Sequence, residues 1–195
     1  MNTHLRYLSE LCDRQIAFRD PRIKPDAVFR YVDISSVDYK LKEIVSAQVV
    51  RGSDASVRAR QVIKTNDVLV STVRPNLNAV ALVPPEFDGQ ICSTGFCVLR
   101  CGPELKPSYL FAFVTSLRFV NGLVELVQGA LYPAVTSRQV FAQQVPWVEP
   151  KRQEIIGEHF LRVKQLTLEA KIAAQKQLQE LELLPQKLLA QVFES

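Results

Sequence analysis

The chain is poor in the residues that most catalytic motifs require. Seven glycines occur in 195 residues and none stand at Gly-x-Gly spacing, so no loop of bare backbone amides that wraps a nucleotide phosphate is legible. The two histidines are His4, near the start, and His159, in a helical stretch; neither has a nucleophile and a carboxylate beside it in sequence. Cys12, Cys92, Cys97 and Cys101 form no Cys-x-x-Cys knuckle and have no nearby histidine, so zinc is not expected. Met1 to Arg6 lacks the basic-then-apolar layout of a secretory signal, which makes disulfides unexpected and a cytoplasmic protein the default. Cys92 and Cys97 are expected as small core hydrophobes. No run of 18 or more apolar residues appears, so no membrane span is expected.

The composition, 47% hydrophobic and 23% charged, is that of a chain able to bury a core. The net charge of +4 is too mild to demand or exclude nucleic acid. Local clustering says more. Arg51, Arg58, Arg60, Lys64 and Arg74 lie close together, against only Asp54 and Asp67. The competing reading of such a run is a solvated face.

Strand-like text dominates the first hundred residues. Ser9 is placed to cap a short helix from Glu10 to Ala17, and Pro21 and Pro25 then break the chain. Val28 to Ile34 reads as a strand, followed by the turn formers Asp33, Ser35, Ser36 and Asp38. Leu41 to Val50 is ambiguous, and Arg51 to Asp54 reads as a loop. The turn Thr65-Asn66-Asp67 launches a strand from Val68 to Val73, which Arg74-Pro75-Asn76 interrupts because proline cannot donate to a ladder. Asn78 to Val83, Gln90 to Cys92 and Phe96 to Arg100 are the last strands of an expected antiparallel meander. Pro107 suits the first turn of a helix, with Leu110, Phe111, Val114, Leu117 and Phe119 as its apolar face, a break at Asn121-Gly122 and an end at Gly129.

A Tyr-Pro turn, Leu131-Tyr132-Pro133-Ala134-Val135-Thr136, and the segment from Val145 to Pro150 then lead into a long helix. From Lys151 to Leu184 it spans about 50 Å at 1.5 Å per residue. Phe160, Val163, Thr167, Ala170, Ala174, Gln177, Leu181, Leu184 and Leu188 recur at 3-4 spacing, as in a coiled-coil seam. Such a stripe needs a partner helix, because the preceding domain is too small to cover a rod of that length. Pro185 is expected to end or kink the helix, leaving a short turn from Gln186 to Phe193. The fold class is therefore α+β: a mixed or antiparallel-sheet domain, residues 1–149, followed by a long coiled-coil helix, 150–195.

Enzyme chemistry is thin. Val83-Pro84-Pro85-Glu86 lacks the preceding Asp or Asn of an amino-methyltransferase and reads as a hairpin turn. Pro25-Asp26 with Glu104-Leu105-Lys106 has the letters of a nuclease site, but Pro107 puts the Glu-x-Lys in a turn. Binding chemistry is better represented. Arg58, Arg60, Lys64 and Arg74 are suited to phosphates, with Arg51 in the same basic cluster, and Arg74, Asn76 and Asn78 to base edges, since Arg pairs bidentately with guanine and Asn with adenine. Ser71 and Thr94 offer short donors, and Tyr132 and Arg138 flank the junction. No catalytic residue and no metal ligand is assigned.

The junction and the motifs before it resemble the specificity subunits of Type I restriction-modification enzymes. The pieces are Tyr31-Val32-Asp33-Ile34-Ser35; Lys64-Thr65-Asn66-Asp67-Val68-Leu69-Val70-Ser71; Arg74-Pro75-Asn76-Leu77; Ser93-Thr94-Gly95-Phe96; Tyr132-Pro133-Ala134-Val135; and Pro146 with Gln153 and Ile156. Leu183 to Phe193 is similar to the end of the family's spacer helix. A full subunit carries two target-recognition domains and two spacer helices, whereas this sequence has one of each. The resemblance implies a half-subunit that binds double-stranded DNA and dimerises through antiparallel helices, with Phe160, Val163, Ala170, Ala174, Leu181, Leu184 and Leu188 in the seam. It implies a methyltransferase (modification) subunit and a restriction subunit as partners. S-adenosylmethionine, ATP and magnesium would belong to those partners, with no cofactor in this chain. Two other readings remain open on the residues alone: a stand-alone nuclease or methyltransferase with a degenerate motif, and a structural adaptor whose basic loop is merely solvated.

Overall fold

The computed structural model describes residues 4–127, 129 and 131–193. The chain divides into two compact units, 1–158 and 159–195. Its elements are β1 His4–Tyr7, α1 Leu8–Leu11, β2 Cys12–Asp13, β3 Val28–Val32, β4 Val37–Asp38, β5 Glu43–Ile44, β6 Gln48–Arg51, β7 Ala59–Val62, β8 Val68–Ser71, β9 Val80–Leu82, β10 Ile91–Ser93, β11 Phe96–Cys101, α2 Pro107–Thr115, α3 Leu117–Val124, α4 Ser137–Phe141, β12 Gln144–Trp147 and α5 Pro150–Phe193. The class is α+β.

Two four-stranded sheets form the frame of the first unit. One, in the order β2-β11-β8-β9, is antiparallel. The other, β6-β3-β10-β7, is mixed, because β10 runs parallel to β3, with Ile91 opposite Tyr31 and Cys92 opposite Val32. The expected simple meander is corrected here. A parallel neighbour needs a long crossover, and residues 33–90 supply it. Val32, Ile63, Leu69, Ala81, Cys92, Phe96 and Val98 make one buried cluster drawn from both sheets. All four residues of β8 are buried. Alternate side chains of a strand point to opposite faces, so both of its faces are covered, and α2 packs against β8, β9 and β11.

Helix boundaries differ from the sequence expectation in three places. The first helix starts at Leu8, so Ser9 lies inside it and Tyr7 is its N-cap; it stops at Leu11 because Cys12 and Asp13 join β11 as an edge strand and the Leu11 carbonyl accepts the Gly102 N–H at 2.8 Å. The helical stretch after Pro107 breaks at Ser116, not at Asn121-Gly122. Ser116 is extended (φ −71°, ψ 150°) and its hydroxyl caps α3 by accepting the Phe119 N–H. Gly122 stays helical; a Cβ there would sit 2.5 Å from Gln143 Oε1. Finally, α5 continues through Pro185. The ring removes one bond to the Leu181 carbonyl, but Leu181 is exposed, so water can take that acceptor, and proline's fixed φ is itself helical.

All four cysteines are free thiols, and Cys92 and Cys97 lie in the core. No single helix among the described residues is long and apolar enough to cross a membrane. The bent pair of α2 with residues 117–127 passes on length and composition, yet Leu110, Phe111, Val114, Phe119 and Leu123 are buried in the protein core.

The first turns of α5 belong to the first unit. Gln153 is fully buried; its Oε1 accepts the Lys106 N–H at 2.9 Å and its Nε2 donates to Glu104 O at 3.0 Å and Val148 O at 2.7 Å. Gly157 faces α2 so closely that a Cβ would lie 2.2 Å from Ser108 Oγ and 2.6 Å from Tyr109 N. The second unit, by itself, is the remainder of that helix. Val163, Leu181, Leu184 and Leu188 are between 47% and 62% exposed, Ala170 and Ala174 are exposed, and Phe160 is half-buried.

Candidate nucleic-acid interface

Four segments distant in sequence are tied edge to edge by backbone hydrogen bonds. The Thr94 N–H donates to Arg58 O at 2.9 Å, and the Thr72 N–H to Gly95 O at 2.9 Å. The Val135 N–H donates to Thr72 O at 2.8 Å, and the Arg74 N–H to Pro133 O at 2.8 Å. Val73 and Ala134 form an antiparallel bridge between the last two segments. This relay brings Arg58, Thr94, Arg74 and Tyr132 to one region of surface. All four side chains are exposed, Tyr132 at 81%.

Each segment has a local reason for its shape. The turn joining β10 to β11 is held from inside by Gln61, whose Nε2 donates to Ser93 O and Phe96 O, both at 2.9 Å, and Ser93 Oγ accepts the Gly95 N–H at 3.1 Å. Thr94 is the residue left facing outward. The loop after β8 is a 3-10 turn, Pro75–Leu77, flanked by two left-handed residues, Arg74 (φ 50°) and Asn78 (φ 49°). Asparagine tolerates that region; arginine rarely enters it. Arg74 is held there by its bond to Pro133, and the arrangement leaves the side chains of Arg74 and Asn76 exposed. Lys42 Nζ donates to Asn78 O at 2.5 Å, and burial pulls the Lys42 ammonium below the usual lysine range.

The remaining candidates fall elsewhere. Ser71 is 3% exposed; its Oγ donates to Val73 O at 2.9 Å and accepts the Val73 N–H, so the hydroxyl is committed to the strand end. Asn78 Nδ2 donates to Thr115 O at 3.4 Å. Arg60 is half-buried and pairs with Asp20 at 3.2 Å. Hydrogen bonding to Arg22, with Arg60 nearby, holds the Asp20 carboxyl at about 2. Arg51, opposite Val28, and Lys64, two residues past Val62, lie by register toward the other end of the mixed sheet from Arg58. Both are exposed, as is Arg138 on α4. The basic run in sequence is therefore split in space. Gln61 and Lys42 were not singled out from the sequence; a glutamine between buried strand residues is the only signal, and Lys42 gave none.

Two of the nuclease letters have other partners. Glu104 pairs with Arg6 at 2.6 Å, and Lys106 lies 3.9 Å from Glu154. Among the described residues, no three His, Cys, Asp or Glu side chains gather as a group able to hold a metal ion. Val83-Pro84-Pro85-Glu86 forms the turn after β9, with Phe87 buried behind it.

Comparison with solved structures adds the family. The HsdS subunit from Thermoanaerobacter tengcongensis superposes with a TM-score of 0.81 and 37% identity, over 98% of this chain and 49% of that one. A chain of a type I R-M system, from a study of its complex assembly and conformational transition, superposes with a TM-score of 0.82 and 38% identity, over 97% of this chain and 49% of that one. The chain is HsdS-like along nearly its whole length. It spans about half the length of the HsdS chains it matches. No protein-family model and no curated protein matches the sequence.

In this HsdS-like fold the motifs read from the sequence become identifiable parts. Tyr31 to Ser35 is the end of β3 and its capped turn, where Asp33 Oδ1 accepts the Ser36 N–H at 2.9 Å. Lys64 to Ser71 is β8 with its leading turn, in which Asp67 Oδ2 accepts the Lys64 N–H at 2.8 Å. Arg74 to Leu77, Ser93 to Phe96 and Tyr132 to Val135 are three segments of the backbone relay. Gln153 is the buried clasp at the start of α5.

Proposed function

We propose that the chain is a DNA-recognition subunit of a type I restriction-modification system, one target-recognition domain (residues 1–149) with one spacer helix (150–195). It supplies the address and the scaffold, not the chemistry. The observation that carries this reading is the backbone relay that places Arg58, Arg74, Thr94 and Tyr132 on one surface, with Asn76 beside Arg74. Cations and a hydroxyl there suit phosphates, and Arg74 and Asn76 suit base edges.

The apolar face of the spacer helix, through Val163, Ala170, Ala174, Leu181, Leu184 and Leu188, associates with a second such helix running antiparallel. Two recognition domains related by a two-fold axis then read a bipartite site, with the gap between its halves set by the helices. A methyltransferase subunit carrying S-adenosylmethionine, and a restriction subunit using ATP and magnesium, complete the assembly in the cytoplasm.

Selection from a random duplex pool with the full chain tests the reading. An enriched interrupted sequence, bound with an affinity that falls steeply with salt, is expected. Recovery of no preferred sequence from the chain, alone or with its methyltransferase partner, overturns it in favour of a structural adaptor.

A further inference from the structure

Lys42 lies outside every motif named above, yet its ammonium reaches the exit of the Arg74–Asn78 loop. It sits at the end of the turn between β4 and β5. Asp38 builds that turn: its Oδ1 accepts the Lys40 N–H at 2.7 Å and the Leu41 N–H at 2.9 Å, and its carbonyl accepts the Lys42 N–H at 2.7 Å. Lys42 itself is left-handed (φ 57°), and its half-buried ammonium donates to the Asn78 carbonyl. At the other end of the loop the Arg74 N–H is held by Pro133 O. The loop is therefore pinned at both ends, and both pinned residues occupy the left-handed region, where a non-glycine residue persists only if its surroundings impose it.

We propose that Lys42 is a positioning residue for base reading: by holding Asn78 O it fixes the Pro75–Leu77 turn so that Arg74 and Asn76 meet base edges already in place. This rests on the DNA-recognition reading of the loop. A bidentate contact to a base edge requires the guanidinium or amide to be oriented within a narrow range. A loop free to relax at Asn78 keeps its charge but loses that orientation. Discrimination between sequences should therefore suffer while charge-driven binding does not. Lys42 does not touch DNA in this scheme, since its ammonium is spent on a carbonyl.

The test compares Lys42→Met, which keeps the stem and removes the donor, with Lys42→Arg and Arg74→Ala in the full chain. The probes are the duplex selected by the wild-type protein and a scrambled duplex of equal length, each titrated at several salt concentrations. Lys42→Met is expected to cut the ratio of selected to scrambled affinity about tenfold, the size of one weakened base contact. Scrambled binding and the salt slope should stay unchanged, and Lys42→Arg should restore most of the ratio. If scrambled affinity and the slope fall together by about one phosphate contact, Lys42 is a phosphate ligand and the proposal is wrong. If Lys42→Met leaves the ratio intact while Arg74→Ala lowers it, the positioning role fails and the loop reading survives. If Arg74→Ala also leaves the ratio intact, the loop does not read bases and both fall.

Discussion

Gln153 and Lys106, 47 residues apart in sequence, are joined by a 2.9 Å hydrogen bond from the Lys106 N–H to Gln153 Oε1. The same buried amide donates to two carbonyls, so all three groups depend on one side chain. Gln153→Leu removes that partner from all three. A stability loss of about 2–4 kcal/mol is expected, because each abandoned buried group costs about 1–3 kcal/mol and the new apolar contacts offset part of it. Urea denaturation measures it; a variant as stable as the parent would mean that water replaces the amide.

Gly157 allows α5 to approach α2 at the start of the same clasp. Gly157→Ala places a Cβ 2.6 Å from the Tyr109 backbone N, which cannot swing aside as a side chain can. We expect destabilisation of about 1–3 kcal/mol despite alanine's better helix propensity. Adding Ser108→Ala should not restore stability, since the backbone clash remains; full recovery in the double variant would show that only the serine hydroxyl was in the way.

The basic residues separate into two groups. Arg58→Ala and Arg74→Ala should weaken binding to the selected duplex, and each should lower the salt slope by about one where a phosphate contact is lost. Arg60→Ala should leave the slope unaltered, since Arg60 faces Asp20. Equal effects from all three would return Arg60 to the binding surface.

Disrupting the exposed helix face tests association. Leu181→Glu with Leu184→Glu places two like charges on the proposed seam, and sedimentation velocity should then report monomers where the parent forms dimers. A dimeric double variant would place the contact elsewhere.

Burial pushes the Cys12 and Cys97 thiols up to about 12 and raises those of Cys92 and Cys101 as well. An unfolded thiol ionises near about 8.5. Above that value the unfolded chain releases protons that the folded chain keeps, so stability is full at neutral pH and declines as pH rises from about 8.5 toward 12. The urea midpoint should drop between about pH 7.5 and about pH 10, and less so in Cys12→Ala with Cys97→Ala. The same decline in parent and variant would assign it to other groups.

Much of the architecture was legible in order of residues. The strand text of Val28 to Ile34 and Val68 to Val73, found as the shorter β3 and β8, the Pro107 helix start and the long terminal helix follow from β-rich runs, proline placement and 3-4 spacing. Helix ends were less legible. Ser9 and Ser116 are both competent caps, but only Ser116 is used, because α1 begins at Leu8 and leaves Ser9 inside the helix. Pro185 is a strong breaker on paper, yet a solvated helix can spare one bond.

The candidate site shows the division most clearly. Residue type alone marked Arg58, Arg74, Asn76, Thr94 and Tyr132 as binding chemistry, since a guanidinium, an amide and a hydroxyl carry their donors wherever the chain puts them. Which of them share a surface was decided by long-range pairing: backbone bonds from Arg58 to Thr94, Gly95 to Thr72 and Arg74 to Pro133 bridge gaps that no local pattern encodes. The same pairing withdrew Ser71 into the interior, gave Arg60 to Asp20 and brought Lys42 against Asn78. Periodicity reports which face of an element is apolar; only the packed fold determines what that face, or any donor on it, meets.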